Sequence, residues 1–454
     1  MIHSFTFDDL NIVLDVHSGA VHVVDDIICK ILEYYPEQST SIIMKKLSPL
    51  FGQQQVEEAL TEIEDLVSKG LLFSDDKVGT EYRPADSPVI KAMCLHLAHD
   101  CNLRCRYCFA GQGPFGGDRS LMSFEVGEAA LDFLIKHSGS RKHVEVDFFG
   151  GEPLLNLAVL KKLVDDGRDK AARAGKEIKF TVTTNALLLN EQIAGYLVKE
   201  GLSVVLSLDG RPEVHDAMRP FPSGNGSYDI VASNIKKFIE EHNFDNYYVR
   251  GTFTRHNTDF AADVLHMAQL GLKHLSIEPV VGGPGEDYSL RESDIPPVYS
   301  EYEKLTRQLL ALKKEGREID FFHFNIDLEG GPCLKKRISN CGAGNEYVAV
   351  TPGGEIYPCH QFVGQEGFRL GDVFQGISNA RTIKDFQNAY IYNKEQCPAC
   401  WAKFFCSGGC HANAYFFKGT IYSPYETGCK LMKKRLECAL YLKAKEMLSC
   451  VEQE

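Results

Sequence analysis

His99-Asp100-Cys101-Asn102-Leu103-Arg104-Cys105-Arg106-Tyr107-Cys108-Phe109 sets three cysteines in CxxxCxxC spacing. Three thiolates this close cannot fill a tetrahedral zinc site or complete an iron–sulfur cluster with four cysteine ligands. A [4Fe–4S] cluster held by Cys101, Cys105 and Cys108 alone keeps one iron free for a substrate or a cofactor. The stretch therefore reads as a reactive metal centre rather than a structural one. The competing reading is a zinc knuckle that borrows a fourth ligand from His99 or a distant cysteine. Context favours the cluster. The triplet follows a predicted strand over 92–97 and sits at its C-terminal end, where enzymes built from strand–helix repeats place their chemistry.

Outward from that strand, strand-like runs at 92–97, 144–149, 178–183, 203–208, 248–253 and 274–278 alternate with amphipathic stretches such as 124–136, 157–174 and 228–241. Six strand–helix repeats imply an α/β unit with a parallel sheet over residues 89–316. Residues 1–75 form a first unit. A hairpin around Ser18-Gly19 leads into a helix that begins at Asp25-Asp26 and stops near Pro36. Helices over 42–47 and 54–69 follow, and Leu71-Leu72-Phe73 returns as a strand. Residues 76–88 are polar, with two prolines and a glycine, and make a linker. Residues 317–454 are rich in glycine, proline and aromatics, with little periodicity before a final helix over 426–448. So irregular a region needs staples, which metal clusters would supply.

Fifteen cysteines are many for a chain of 454 residues. Eleven fall at 101–108 and 333–429, a grouping better explained by metal ligation than by disulfides. Cys29, Cys94, Cys438 and Cys450 stand apart and read as small buried apolar residues. There is no secretory signal pattern and no apolar run long enough to span a bilayer, so a cytoplasmic location without membrane contact is expected. A net charge of −13 without a basic stripe argues against nucleic acid as a partner.

Polar and small residues recur at successive strand ends: Gly150-Gly151-Glu152-Pro153, then Thr183-Thr184-Asn185, then Ser207-Leu208-Asp209-Gly210. Small residues let backbone approach a ligand closely, and the Asn185 amide suits ribose hydroxyls. Each alone is as well explained as a turn cap; their recurrence favours one shared site. Downstream the order is Cys341, Gly354, Cys359, then Cys397-x2-Cys400-x5-Cys406-x3-Cys410, then Cys429. CxxC spacing would also permit a pair of structural zinc sites.

The first triplet and Gly150–Pro153 resemble the signature of the radical S-adenosylmethionine enzymes, whose fold is a partial (β/α)6 barrel. The later cysteines closely resemble the seven-cysteine SPASM domain. The order of elements in residues 1–75 is similar to the winged-helix-like leader-recognition domain of peptide-modifying enzymes. Over its full length the chain resembles the maturases of six-cysteines-in-forty-five-residues (SCIFF) peptides, which form thioethers. The resemblance implies S-adenosylmethionine and three [4Fe–4S] clusters as cofactors. S-adenosylmethionine would be held by Tyr107 backbone, Gly150, Gly151, Glu152, Asn185, Ser207 and Arg219, the last pairing with its carboxylate. Cys397, Cys400, Cys406 and Cys429 would enclose one auxiliary cluster. Cys341, Cys359 and Cys410 would hold the other, with Cys333 as a candidate fourth ligand. Partners would be a cysteine-rich precursor peptide, bound through its leader, and a low-potential electron donor. His360 stands where sulfatase maturases of this class carry an aspartate base, which weighs against formylglycine formation; His360 and Asp209 are the catalytic candidates. The remaining alternatives are a sulfatase-type maturase and a non-catalytic iron–sulfur electron carrier.

Overall fold

The computed structural model describes residues 1–84, 87–328 and 338–451. Cys333 lies outside them, as does the side chain of Cys450.

The N-terminal unit opens with three antiparallel strands, β1 (Ile2–Phe7), β2 (Leu10–Asp15) and β3 (Val21–Val24), in that spatial order. Helices Asp26–Leu32, Thr40–Phe51 and Gln53–Ser68 pack on them around Val13, Ile31, Ile43, Val56 and Ile63. Asp25 caps the first helix by accepting the Ile28 N–H, and Gly70 at φ 68° lets the chain leave the third. Two expectations change. The hairpin gains β1 as a third strand. Residues 71–73 form bends rather than a strand, because Phe73 takes φ 52° and breaks the extended run. Side-chain bonds hold that segment instead: the His22 ring bonds the Leu71 carbonyl, and the Ser74 N–H donates to Asp15.

The six expected barrel strands are all present: β4 (Ala92–Ala98), β5 (His143–Gly150), β6 (Glu177–Thr184), β7 (Ser203–Ser207), β8 (Tyr247–Phe253) and β9 (His274–Pro279). They lie side by side in chain order and are parallel throughout. Alternation along each strand sends Leu95, Val146, Phe148, Val182 and Val249 into the core beneath the flanking helices. Each such side chain contributes roughly 2–3 kcal/mol by leaving water. The opposite register carries Asp147, Thr183, Ser207, Arg250 and Glu278, none of them fully buried. This polar face opens toward the strand ends.

The C-terminal unit does not sit apart from the barrel. β10 (Asp320–Phe321) extends the sheet beyond β9. At the other edge β11 (Tyr347–Val350) pairs in parallel with β4, Tyr347 opposite Ala92. β12 (Glu355–Tyr357), β13 (Gly371–Asp372) and β14 (Gly376–Ile377) continue it antiparallel. The last helix, Glu426–Val451, packs on helix Ile295–Lys314. It also meets the first sheet: Phe7 stacks on Tyr441, while Tyr441 and Lys445 both donate to Asp9. Cys94 and Cys438 are fully buried, as expected, and Cys29 is only half-buried. Among the described residues no helix is long and apolar enough to cross a membrane.

Candidate functional site

β4 ends at Ala98, and the cysteine loop leaves it through a network of backbone bonds. Asp100 accepts the Cys101 N–H at 2.8 Å, and Arg104 donates to the Cys101 and Leu103 carbonyls. The Arg104 and Arg106 N–H groups donate to the carbonyls of Pro220 and Met218, which fastens the loop to the chain after helix Pro212–Met218. At the end of β5 the Gly151 N–H donates to Ala98 and the Glu152 N–H to Asp100, at 2.7 and 2.9 Å.

Those bonds explain the paired glycines. A Cβ on Gly150, at φ 121°, would lie 2.3 Å from the Ala98 carbonyl oxygen, and one on Gly151 would lie 2.1 Å from that of Asp100. Both contacts are backbone and cannot yield. The glycines thus seat the cysteine loop, a role beyond letting a ligand approach. Gly151→Ala is expected to push Cys101 out of register and to reduce iron bound at the first triplet at least tenfold, with the C-terminal cysteines unaffected. Iron analysis beside the parent chain checks this.

One cleft is lined by Cys101, Cys105 and Cys108 together with Tyr107, Gly150, Gly151, Asn185, Ser207 and Arg219. Nine residues singled out from sequence thus meet in one place. Glu152 does not join them. It is fully buried, and its carboxylate accepts from Thr184 Oγ1, from the Asn185 N–H and from the Leu154 N–H. Its side chain ties β5 to the end of β6 rather than facing the cleft. Burial raises its pKa to about 7. Asn185 donates to Asn102 Oδ1 at 2.7 Å and lies 3.6 Å from Cys101 Sγ, so it steadies the first cysteine.

Asp209 is fully buried behind the cleft. Tyr107 Oη donates to its Oδ2 at 2.6 Å, the Thr252 N–H donates to Oδ1 at 3.1 Å, and Arg219 Nε stands 3.1 Å from Oδ1. The Arg219 guanidinium lies over the Tyr107 ring, 5.5 Å from its centre. One carboxylate therefore positions both the aromatic between two cysteines and the cation lining the cleft. It acts through Tyr107 and Arg219.

Burial pushes the Cys101 thiol up to about 11 and that of Cys105 up to about 12. Without a bound metal these sulfurs stay protonated at neutral pH; coordination to iron deprotonates them. The C-terminal sulfurs divide into two neighbourhoods. The Cys359 thiol is raised first by burial and then by Cys341 and Cys410. The Cys429 thiol, at about 12, is raised by burial and then by Cys406, Cys397 and Cys400. Among the described residues no three His, Cys, Asp or Glu side chains converge as one metal ion requires. A cubane spreads its thiolates over separate iron atoms and does not need that convergence.

His360 follows Cys359 in a short turn, His360–Phe362. Its ring centre is 5.2 Å from that of Phe109 and 5.1 Å from that of Phe149, and Tyr347 Oη lies 3.1 Å from its Nδ1. Burial lowers its pKa to about 4, leaving a neutral, weakly basic ring. The turn that bears Cys359 therefore abuts the residue after Cys108. Sequence reading overlooked Asp147, whose signal was a lone carboxylate in the otherwise apolar end of β5. Its Oδ1 accepts from Thr183 Oγ1, and burial raises it to about 7. It also overlooked Arg250 and Glu278, which bond each other on the polar face of β8 and β9.

Residues 91–231 match the model of a 4Fe-4S single cluster domain, and residues 341–401 match SPASM, an iron-sulfur cluster-binding domain. Both matches are to domains that bind iron–sulfur clusters. The chain is 26% identical over 347 residues to a cysteine-type anaerobic sulfatase-maturating enzyme of Clostridium perfringens, covering 71% of this chain and 89% of that relative. Among solved structures it resembles anSMEcpe with bound AdoMet, with a TM-score of 0.65, 20% identity, and coverage of 78% of this chain and 95% of the other. It also resembles Streptococcus suis SuiB bound to the precursor peptide SuiA, with a TM-score of 0.52, 15% identity, and coverage of 92% and 96%. The fold shared with these structures accounts for the six parallel strands, and the SPASM match covers Cys341, Cys359, Cys397 and Cys400.

Proposed function

We propose that this chain is a radical S-adenosylmethionine maturase that installs cysteine thioether cross-links in a ribosomally made, cysteine-rich peptide. The observation that carries the reading is the packing of the Cys359–His360 turn against Phe109 and Phe149. A substrate sulfur held near Cys359 would stand beside the cleft of the first triplet.

The donor sets fit the cofactors. Cys101, Cys105 and Cys108 would hold one [4Fe–4S] cluster. Cys341, Cys359 and Cys410, with Cys333 outside the described residues, would hold a second. Cys397, Cys400, Cys406 and Cys429 would hold a third. When bound, cluster and S-adenosylmethionine together supply a 5′-deoxyadenosyl radical able to take a hydrogen atom from the substrate. Arg219 and Ser207 would orient the methionyl carboxylate, Arg219 as a forked donor. The backbone at Gly150 and Gly151 would receive the amino group, Asn185 the ribose, and the Tyr107 backbone the adenine. The aromatic wall of Phe109 and Phe149 would keep water away.

Residues 1–75 would bind the leader. Among the described residues β3 has no neighbour beyond it in the three-stranded sheet, and Val23 on it is exposed, so an extended peptide can add there as a fourth strand. Residues 76–88 would link this unit to the barrel of 89–316 and the SPASM unit of 317–454. A low-potential donor would supply the electrons.

His360 favours thioether over formylglycine formation. A neutral ring whose Nδ1 faces Tyr347 is a poor substitute for a carboxylate base. The test is anaerobic reaction with a short cysteine-rich peptide, followed by mass spectrometry. A product two hydrogens lighter that resists thiol alkylation is expected. A hydrazide-reactive aldehyde would replace this reading with the sulfatase-type one.

A further inference from the structure

The SPASM unit buries a lysine that the proposed chemistry leaves unused. Lys394 is only 2% exposed. Its Nζ donates to the Gly408 carbonyl at 2.7 Å, one bond for a group with three donors. Among the described residues its charge meets no carboxylate. A buried ammonium in that condition is strongly unfavourable unless another anion compensates it.

The neighbouring sulfurs identify that anion. Gly408 lies in Cys406-Ser407-Gly408-Gly409-Cys410, which joins one sulfur neighbourhood to the other. A Cβ on Gly408, at φ 87°, would lie 3.2 Å from Lys394 Cδ and 3.4 Å from Nζ, so the chain is shaped to receive this side chain. The charge of Lys394 acts on Cys397 and Cys406 of one set and on Cys410 and Cys341 of the other. Lys433 acts on Cys397 and Cys429, Arg435 on Cys406, and Lys91 on Cys341.

We propose that Lys394 is the counter-cation shared by the two C-terminal sulfur sets, raising the reduction potential of both clusters held there. This rests on the reading that each set holds a cluster. A cluster ligated by thiolates is anionic and becomes more so when it accepts an electron. A fixed positive charge in a dry, low-dielectric setting therefore favours the reduced form of each. Placed between the sets, the same charge lowers the cost of an electron residing on either one and smooths its passage between them. Lys394 is a positioning residue: it touches neither the peptide nor the S-adenosylmethionine cleft.

The experiment uses the full chain with Cys101, Cys105 and Cys108 replaced by alanine, so that only the C-terminal clusters respond. Lys394→Met removes the charge at similar length. Lys394→Gln removes it but keeps a donor for Gly408. Iron content and a potentiometric titration followed by electron paramagnetic resonance are read for each. Both variants are expected to keep the parent's iron, with each cluster at least tenfold harder to reduce, a fall of about 59 mV for one electron. Full iron with unmoved potentials overturns the proposal, and so does a shift confined to one cluster. Loss of iron from both variants also overturns it, making Lys394 a strut rather than a tuning charge. A parent chain that binds no iron at its C-terminal cysteines sinks the functional reading instead, before any lysine variant is compared.

Discussion

Cys105→Ala is expected to abolish cleavage of S-adenosylmethionine to 5′-deoxyadenosine while leaving iron at the C-terminal cysteines. Cys105 lines the cleft between Cys101 and Cys108, and its thiol feels Arg219 and both neighbouring sulfurs. With two thiolates left, the loop has too few ligands to retain a cluster that needs three protein sulfurs and an open iron. The described C-terminal cysteines gather apart from that sulfur, Cys359 with Cys341 and Cys410 and Cys429 with Cys406, Cys397 and Cys400. Total iron should fall by about a third, and 5′-deoxyadenosine, measured chromatographically after reduction with dithionite, should drop to background. Continued cleavage at the parent rate would place the reactive centre elsewhere.

Asp209→Asn tests the support behind the cleft. The parent carboxylate is fully buried and faces Arg219, Tyr107 and the Thr252 N–H. Asparagine keeps the shape and an acceptor for Thr252, but leaves the Arg219 guanidinium, little exposed at the cleft wall, without its counter-charge. Breaking such a pair costs about 3–5 kcal/mol. Tyr107 also loses its charged acceptor, which shifts the loop segment between Cys105 and Cys108. A displacement of about 1 Å at such a centre is enough for a loss of about 100-fold in S-adenosylmethionine cleavage. Denaturation in urea and the cleavage rate read the two effects. Tyr107→Phe removes one hydrogen bond and retains the ion pair, so it should cost only about 1–2 kcal/mol. Equal stability of Asp209→Asn and the parent would show that Arg219 does not rely on Asp209.

Local sequence made much of the barrel legible. Its strands are buried on one face by Leu95, Phe148 and Val182, and their ends carry Gly150-Gly151, Asn185 and Ser207. Both signals need only a few consecutive residues. The run at 71–73 shows where that stops working. Leu71-Leu72-Phe73 has the composition of a strand, yet Leu72 is buried by the helices and Phe73 turns the chain to φ 52°. Glu152 shows the same limit at the site. Its position in the motif suggested a ligand contact, and only the partners Thr184 and Asn185, more than thirty residues away, direct its carboxylate inward.

Spacing alone specified which cysteines belong together near residue 101, because the ligands are within one loop and the loop length limits their reach. It could not specify that β11 would pair with β4, bringing the Cys359 turn against Phe109, since pairing across some 250 residues depends on shape and burial summed over the whole sheet. Nor could it show that Lys394 would be enclosed among sulfurs, because nothing about a lysine's chain neighbours reveals the dielectric it ends in.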